Sequence, residues 1–154
     1  MKIKNSIFDI VVNFICVFLF IGLAVYLIAS WNNLPDQIPG HYNVSGEVTR
    51  WDGKSSLLFL PVTACFLFLV ITIVERFPKI WNTGVRITEE NMFRVYRIIK
   101  SMMSCVKLIF VAAFVAFSII QSQAADLPTW LMIIFMVALF GAIIINIVRL
   151  VRAR

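Results

Sequence analysis

Apolar residues along this chain fall into runs, not into an amphipathic scatter. Ile10–Ala29, Leu57–Val74 and Trp130–Val148 contain 20, 18 and 19 residues without a single charge. Each run meets the length of about 17–25 residues that a helix needs to cross a bilayer. Backbone polar groups in hydrocarbon must be satisfied within the segment, so the runs predict helices. A fourth span is less regular. Leu108–Ile120 is uncharged over 13 residues, and extending it back to Met102 takes in Lys107. The long stem of Lys107 would carry its ammonium to the interface. The first run exceeds the usual apolar stretch of a cleaved leader, and "LIASW" lacks small–x–small spacing, so it reads as an uncleaved anchor.

These runs predict one membrane domain over 1–154, an all-α integral membrane protein with four transmembrane helices at about 8–30, 56–76, 102–121 and 129–149. An outer loop at 31–55 carries a small extracytoplasmic β-hairpin cap between helices 1 and 2. A cytoplasmic loop at 77–101 carries an amphipathic helix.

Charge orients the spans. The N-terminal, middle and C-terminal polar segments hold eleven Lys and Arg, against two (Arg50 and Lys54) in the other two segments. The positive-inside rule then puts both termini and the middle loop in the cytoplasm. The net charge of +6 is accounted for by this topology and by anionic lipid, which excludes nucleic acid as a partner. The hydrophobic fraction of 61% agrees with a membrane class, since soluble chains average about 45–50%. Trp31 and Trp130 fall at the outer boundary and Trp81 just past the inner one, as an aromatic belt requires.

Cys16, Cys65 and Cys105 all lie within spans, and the chain has one histidine. That combination forms neither a disulfide framework nor a zinc set, so the cysteines read as packing residues and no metal or cofactor is expected. Asn13 and Asn146 are candidates for hydrogen bonds across helix interfaces. Asp9 and Glu75 fall at the inner boundaries, and a proton-coupled transporter would place an acid at mid-membrane.

In the middle loop, Pro78 and Gly84 break the second helix, and Thr88 has the features of an N-cap followed by Glu89 and Glu90. Met92, Val95, Ile98, Ile99 and Met102 then form an apolar face. Arg94, Arg97, Lys100 and Arg86 form a basic face suited to lipid headgroups or to a docked cytoplasmic protein.

The outer loop, "LPDQIPGHYNVSGEVTRWDGK", concentrates three acids, three glycines, two prolines and the only histidine. His41, Tyr42 and Val44 would pair with Val48, Thr49 and Trp51 around the turn residues Asn43, Ser45 and Gly46. Pro35 and Pro39 stiffen the approach. The hairpin would rest on helix ends or on the loop Gln121–Thr129. A polar cluster of His41 with Asp36, Glu47, Asp52 and Lys54 is one outcome, but no nucleophile stands at a convincing spacing, so no catalytic residue is assigned. The candidate binding surface is His41, Tyr42, Asn43, Glu47, Arg50, Trp51 and Lys54, with Pro35, Pro39 and Gly46 as structural residues.

Leu34, Pro35, Ile38, Pro39, His41, Tyr42, Asn43, Gly46, Thr49, Trp51 and Lys54 together resemble the pattern of a bacterial membrane domain of unknown function. That domain stands at the N-terminus of SdpI-type immunity proteins, which protect a producing cell from its own secreted peptide toxin. The resemblance implies a multi-pass protein of the bacterial plasma membrane. It also implies an immunity, toxin-resistance or envelope-signalling role exercised by binding through the outer loop. The expected partners are membrane lipids, a peptide toxin or envelope component outside, and a cytoplasmic protein at the basic middle loop. The alternatives are a membrane enzyme using His41 on a lipid or envelope substrate, and an accessory subunit of a transporter.

Overall fold

The computed structural model describes residues 3–153. Among the described residues four helices are long and apolar enough to cross a membrane: α1 (Ile7–Ser30), α2 (Phe59–Val74, continuous with a 3-10 turn from Lys54), α3 (Met92–Ser122) and α4 (Thr129–Arg152). A two-stranded antiparallel hairpin, β1 (Gln37–Tyr42) and β2 (Val48–Gly53), stands between α1 and α2. The all-helical membrane fold with a hairpin cap is therefore the observed one. The hairpin and the short α3–α4 loop lie at one end of the bundle, and the segment leading into α1 and the last turn of α4 lie at the other.

α1 begins at a capping box. The Ser6 hydroxyl accepts from the Asp9 amide at 3.1 Å, while the Asp9 carboxylate accepts from the Ser6 amide at 2.7 Å. α3 is preceded by a similar reciprocal pair at Thr88 and Asn91, but regular helix starts only at Met92, later than the N-cap expected at Thr88. From there the amphipathic stretch and the third span form one unbroken helix of 31 residues. At 1.5 Å per residue it is about 46 Å long, so one end stands beyond a hydrocarbon layer of about 30 Å.

α3 is the central helix and packs against α1, α2 and α4. Val12, Cys16, Leu23 and Leu27 of α1 meet Val111 and Val115 of α3 in the main core. The same cluster includes Ile38 of the hairpin and Leu57 just before α2, both fully buried. The cap is thus continuous with the bundle core. A second cluster at the opposite end joins Val95, Ile98 and Ile99 of α3 to Leu150 of α4, to Ala153 just after it and to Trp81. Trp81 is not an interfacial anchor as its position suggested. It is buried, donates to the Val74 carbonyl at 2.8 Å and packs on Tyr96, because the chain turns back under α2 at Pro78.

Candidate functional site

The register of the hairpin differs from the expected one. Pro39 opposes Trp51, His41 opposes Arg50 and Tyr42 opposes Val48, with an irregularity between Pro39 and His41. Gly40 occupies that irregularity because a Cβ there would collide with the Asp52 carboxylate. The turn is closed by Asn43, whose side-chain oxygen accepts from the Ser45 and Glu47 amides at 2.9 and 3.0 Å. Its amide group donates to the Glu47 carboxylate at 2.8 Å. Asn43 and Glu47 are therefore spent on the turn itself.

The hairpin is fastened to the α3–α4 loop. Leu127 donates its backbone N–H to the Gly46 carbonyl at 2.8 Å, Val48 donates to Asp126 at 2.9 Å, and the Thr129 hydroxyl donates to the Ser45 carbonyl at 2.9 Å. The Tyr42 hydroxyl donates to the Ala125 carbonyl at 3.2 Å, and burial together with the nearby Asp126 charge pushes its pKa up to about 12. At the base, Lys54 donates to the Leu34 carbonyl at 3.4 Å and lies over the Trp31 ring at 5.2 Å from its centroid. Pro39 is buried inside β1, Pro35 is exposed ahead of it, and Trp51 is half exposed.

The expected polar cluster around His41 does not form. His41 Nδ1 lies 2.7 Å from the Thr49 hydroxyl, Asp52 pairs with Arg50 and Glu47 with Asn43. Asp52 and Glu47 thus have other partners on their own hairpin, and the imidazole's hydrogen-bond partner is a hydroxyl and not a carboxylate. Of the candidate surface, His41, Tyr42 and Arg50 share one groove, whereas Asn43, Glu47, Trp51 and Lys54 do not line it. This groove of about 950 Å³ runs between the hairpin and the first turns of α2. Its upper wall carries His41 and the Arg50–Asp52 pair, bidentate at 3.0 and 2.9 Å. Its lower wall is apolar, built from Leu58, Phe59, Leu60 and Val62.

Two groove residues escaped sequence reasoning. Gln121, at the end of α3, donates its amide to the Pro39 carbonyl at 2.6 Å. A carbonyl can only accept, so the amide orientation is fixed and Oε1 points elsewhere. That oxygen is buried and accepts no hydrogen bond among the described residues, and the buried Ser56 hydroxyl likewise has no partner among them. Such atoms are uncommon in native structures.

A second polar constellation occupies the termini end. Asp9, almost fully buried, accepts from Arg97 at 3.1 Å and from Ser104 at 2.9 Å. Lys100 donates to the Ile3 carbonyl at 2.8 Å and to Asn5 at 2.6 Å. About two turns further into α3, Lys107 donates to both Glu75 oxygens at 3.0 and 3.1 Å and to Thr72 at 3.3 Å. Lys107 therefore does not reach for the interface. Partners on α2 satisfy its ammonium within the bundle, and its side chain has 0% exposure. Lys100 is likewise buried against the N-terminal segment, and Arg97 reaches onto it while staying partly exposed. Asn146 bonds to the Ala142 carbonyl of its own helix, and Asn13 Oδ1 finds no partner among the described residues, so neither bridges helices.

One signal in the sequence was available. Lys100, Ser104, Lys107, Val111, Val115, Ser118 and Ser122 are buried on α3 at steps of three and four. The polar residues of this span thus share one inward stripe. Among the described residues no group of His, Cys, Asp and Glu could hold a metal ion, and all three cysteines are free.

No curated protein and no solved structure matches this chain. Residues 18–65 match a family model described as a domain of unknown function, DUF1648, and that match takes in the second half of α1, the whole hairpin and the first turns of α2.

Proposed function

We propose that this chain is a binding protein of the bacterial plasma membrane, with both termini in the cytoplasm and the hairpin outside. Its groove would take an amphipathic peptide lying at the membrane surface. The excess of basic residues in the terminal and middle segments supports the orientation. One observation carries the ligand class: a groove that is polar above, at His41 and the Arg50–Asp52 pair, and apolar below. Polar groups of such a peptide would meet His41 and Arg50, and its apolar side chains would lie along Phe59 and Val62 at the bilayer surface. The resemblance of the loop to that of SdpI-type immunity proteins supports protection against a secreted peptide as the biological outcome. His41 pairs with Thr49 and not with a carboxylate, so the enzyme reading gains no support.

The test is growth of cells expressing the chain against a panel of secreted membrane-active peptides. The wild type should protect against at least one. Gln121→Leu and Arg50→Ala should lose that protection at unchanged membrane levels. No protection from any peptide, or full protection by both variants, would overturn the reading.

A further inference from the structure

Away from the hairpin, α3 and α4 bring four arginines to one groove. Arg94 and Arg97 lie three apart on α3, Arg149 and Arg152 three apart on α4, and the space between them is about 500 Å³. Phe93, Ile98 and Ala153 form its apolar part, and among the described residues no carboxylate lines it. Two of the guanidinium groups are held from behind. Arg97 is anchored by buried Asp9 and the Lys4 carbonyl, and Arg149 donates to Asn146 at 3.1 Å. The other two, Arg94 and Arg152, are exposed and make no side-chain hydrogen bond among the described residues. Asp9 offsets one of the four charges.

Depth distinguishes this cluster from a solvated basic face. The uncharged run of α4 ends at Val148, immediately before Arg149, and Arg94 lies on the part of α3 that extends beyond the hydrocarbon layer. The groove therefore stands at headgroup level, with exposed Phe93 beside it. Guanidinium groups bind phosphate oxygens bidentately, and basic pockets between membrane helices suit multiply phosphorylated headgroups.

We propose that this groove is a binding site for an anionic phospholipid carrying two phosphate groups, straddled by the α3 and α4 arginines. The proposal is independent of what the hairpin groove binds. The experiment reconstitutes the full chain in phosphatidylcholine vesicles doped with cardiolipin and measures lipid retained after detergent extraction by native mass spectrometry. The wild type should retain cardiolipin over phosphatidylcholine. Arg94→Gln combined with Arg152→Gln should weaken retention about thirtyfold. Arg76→Gln combined with Lys79→Gln removes the same charge from the same end outside the groove and should leave retention unchanged. Equal loss in both variants would mean diffuse charge attraction and would overturn the site, as would no enrichment in the wild type. Displacement of the lipid by inorganic phosphate would identify a free-phosphate site and overturn the lipid assignment.

Discussion

Lys107 Nζ lies 3.0 Å from Glu75 Oε1, with side-chain exposures of 0% and 7%, so α2 and α3 are joined by an ion pair sealed within the bundle. A buried pair pays heavy desolvation on both sides, and its removal as a unit differs from its disruption. Glu75→Gln should leave an uncompensated buried ammonium and cost about 3–5 kcal/mol. Glu75→Leu combined with Lys107→Met should fold at least as stably as the wild type. Thermal unfolding of both variants in detergent measures the difference. Single and double variants that are equally destabilised would contradict the account.

The cap stays fixed to the bundle through Ile38, which has 0% exposure and shares the main core with Leu57 and Val111. Ile38→Ala should cost about 2–5 kcal/mol by opening a cavity beneath the hairpin. Val44→Ala at the turn, where Val44 is 91% exposed, should change stability by less than about 0.5 kcal/mol. Tryptic cleavage after Arg50 and Lys54 reports the opening of the cap. Equal cleavage in the two variants would mean that the hairpin is not held from below.

Four spans were legible because each apolar run exceeds the length a bilayer demands, and the hairpin because turn residues and alternating residues stand out against such runs. The pairings were not legible. Asp9 and Arg97 are 88 residues apart and Glu75 and Lys107 are 32 apart, so their meeting depends on how each helix is rotated. Lys107 read alone has a stem long enough to reach the interface. Only Glu75 and Thr72 on the facing helix remove the reason to do so. Gln121 was missed for a related cause: in "QSQ" at the end of a span it looks like ordinary loop polarity, and its partner Pro39 lies 82 residues earlier.

Gly46 adopts a φ of +88°, and a Cβ there would collide with the Leu127 carbonyl. Gly46→Ala therefore carries both the left-handed penalty of about 1–2 kcal/mol and a backbone clash. Gly53→Ala, where a Cβ meets nothing, lacks both. In the Gly46 variant the Leu127 amide should lose its partner, and its hydrogen exchange should accelerate at least about tenfold. Unchanged exchange at Leu127 would show that the loop contact does not depend on this glycine.

Tyr42 supplies the pH dependence. Its hydroxyl donates to the Ala125 carbonyl, and burial first and Asp126 second raise its pKa to about 12, above the ordinary value of 10.0. Between those values the unfolded chain has lost the phenolic proton while the folded chain keeps it. The folded state then binds more protons, so stability falls as pH rises. The contribution is complete below pH 10 and is lost as pH climbs through about 12. The melting temperature should therefore fall more steeply over that window in the wild type than in Tyr42→Phe. Tyrosinate absorbance, taken as the difference between those two proteins, should titrate near 12. Asp126→Asn should lower that midpoint only part of the way toward 10, because burial is the larger cause. A wild-type midpoint at 10 would mean that the phenol is solvated and that the hairpin does not sit on the α3–α4 loop.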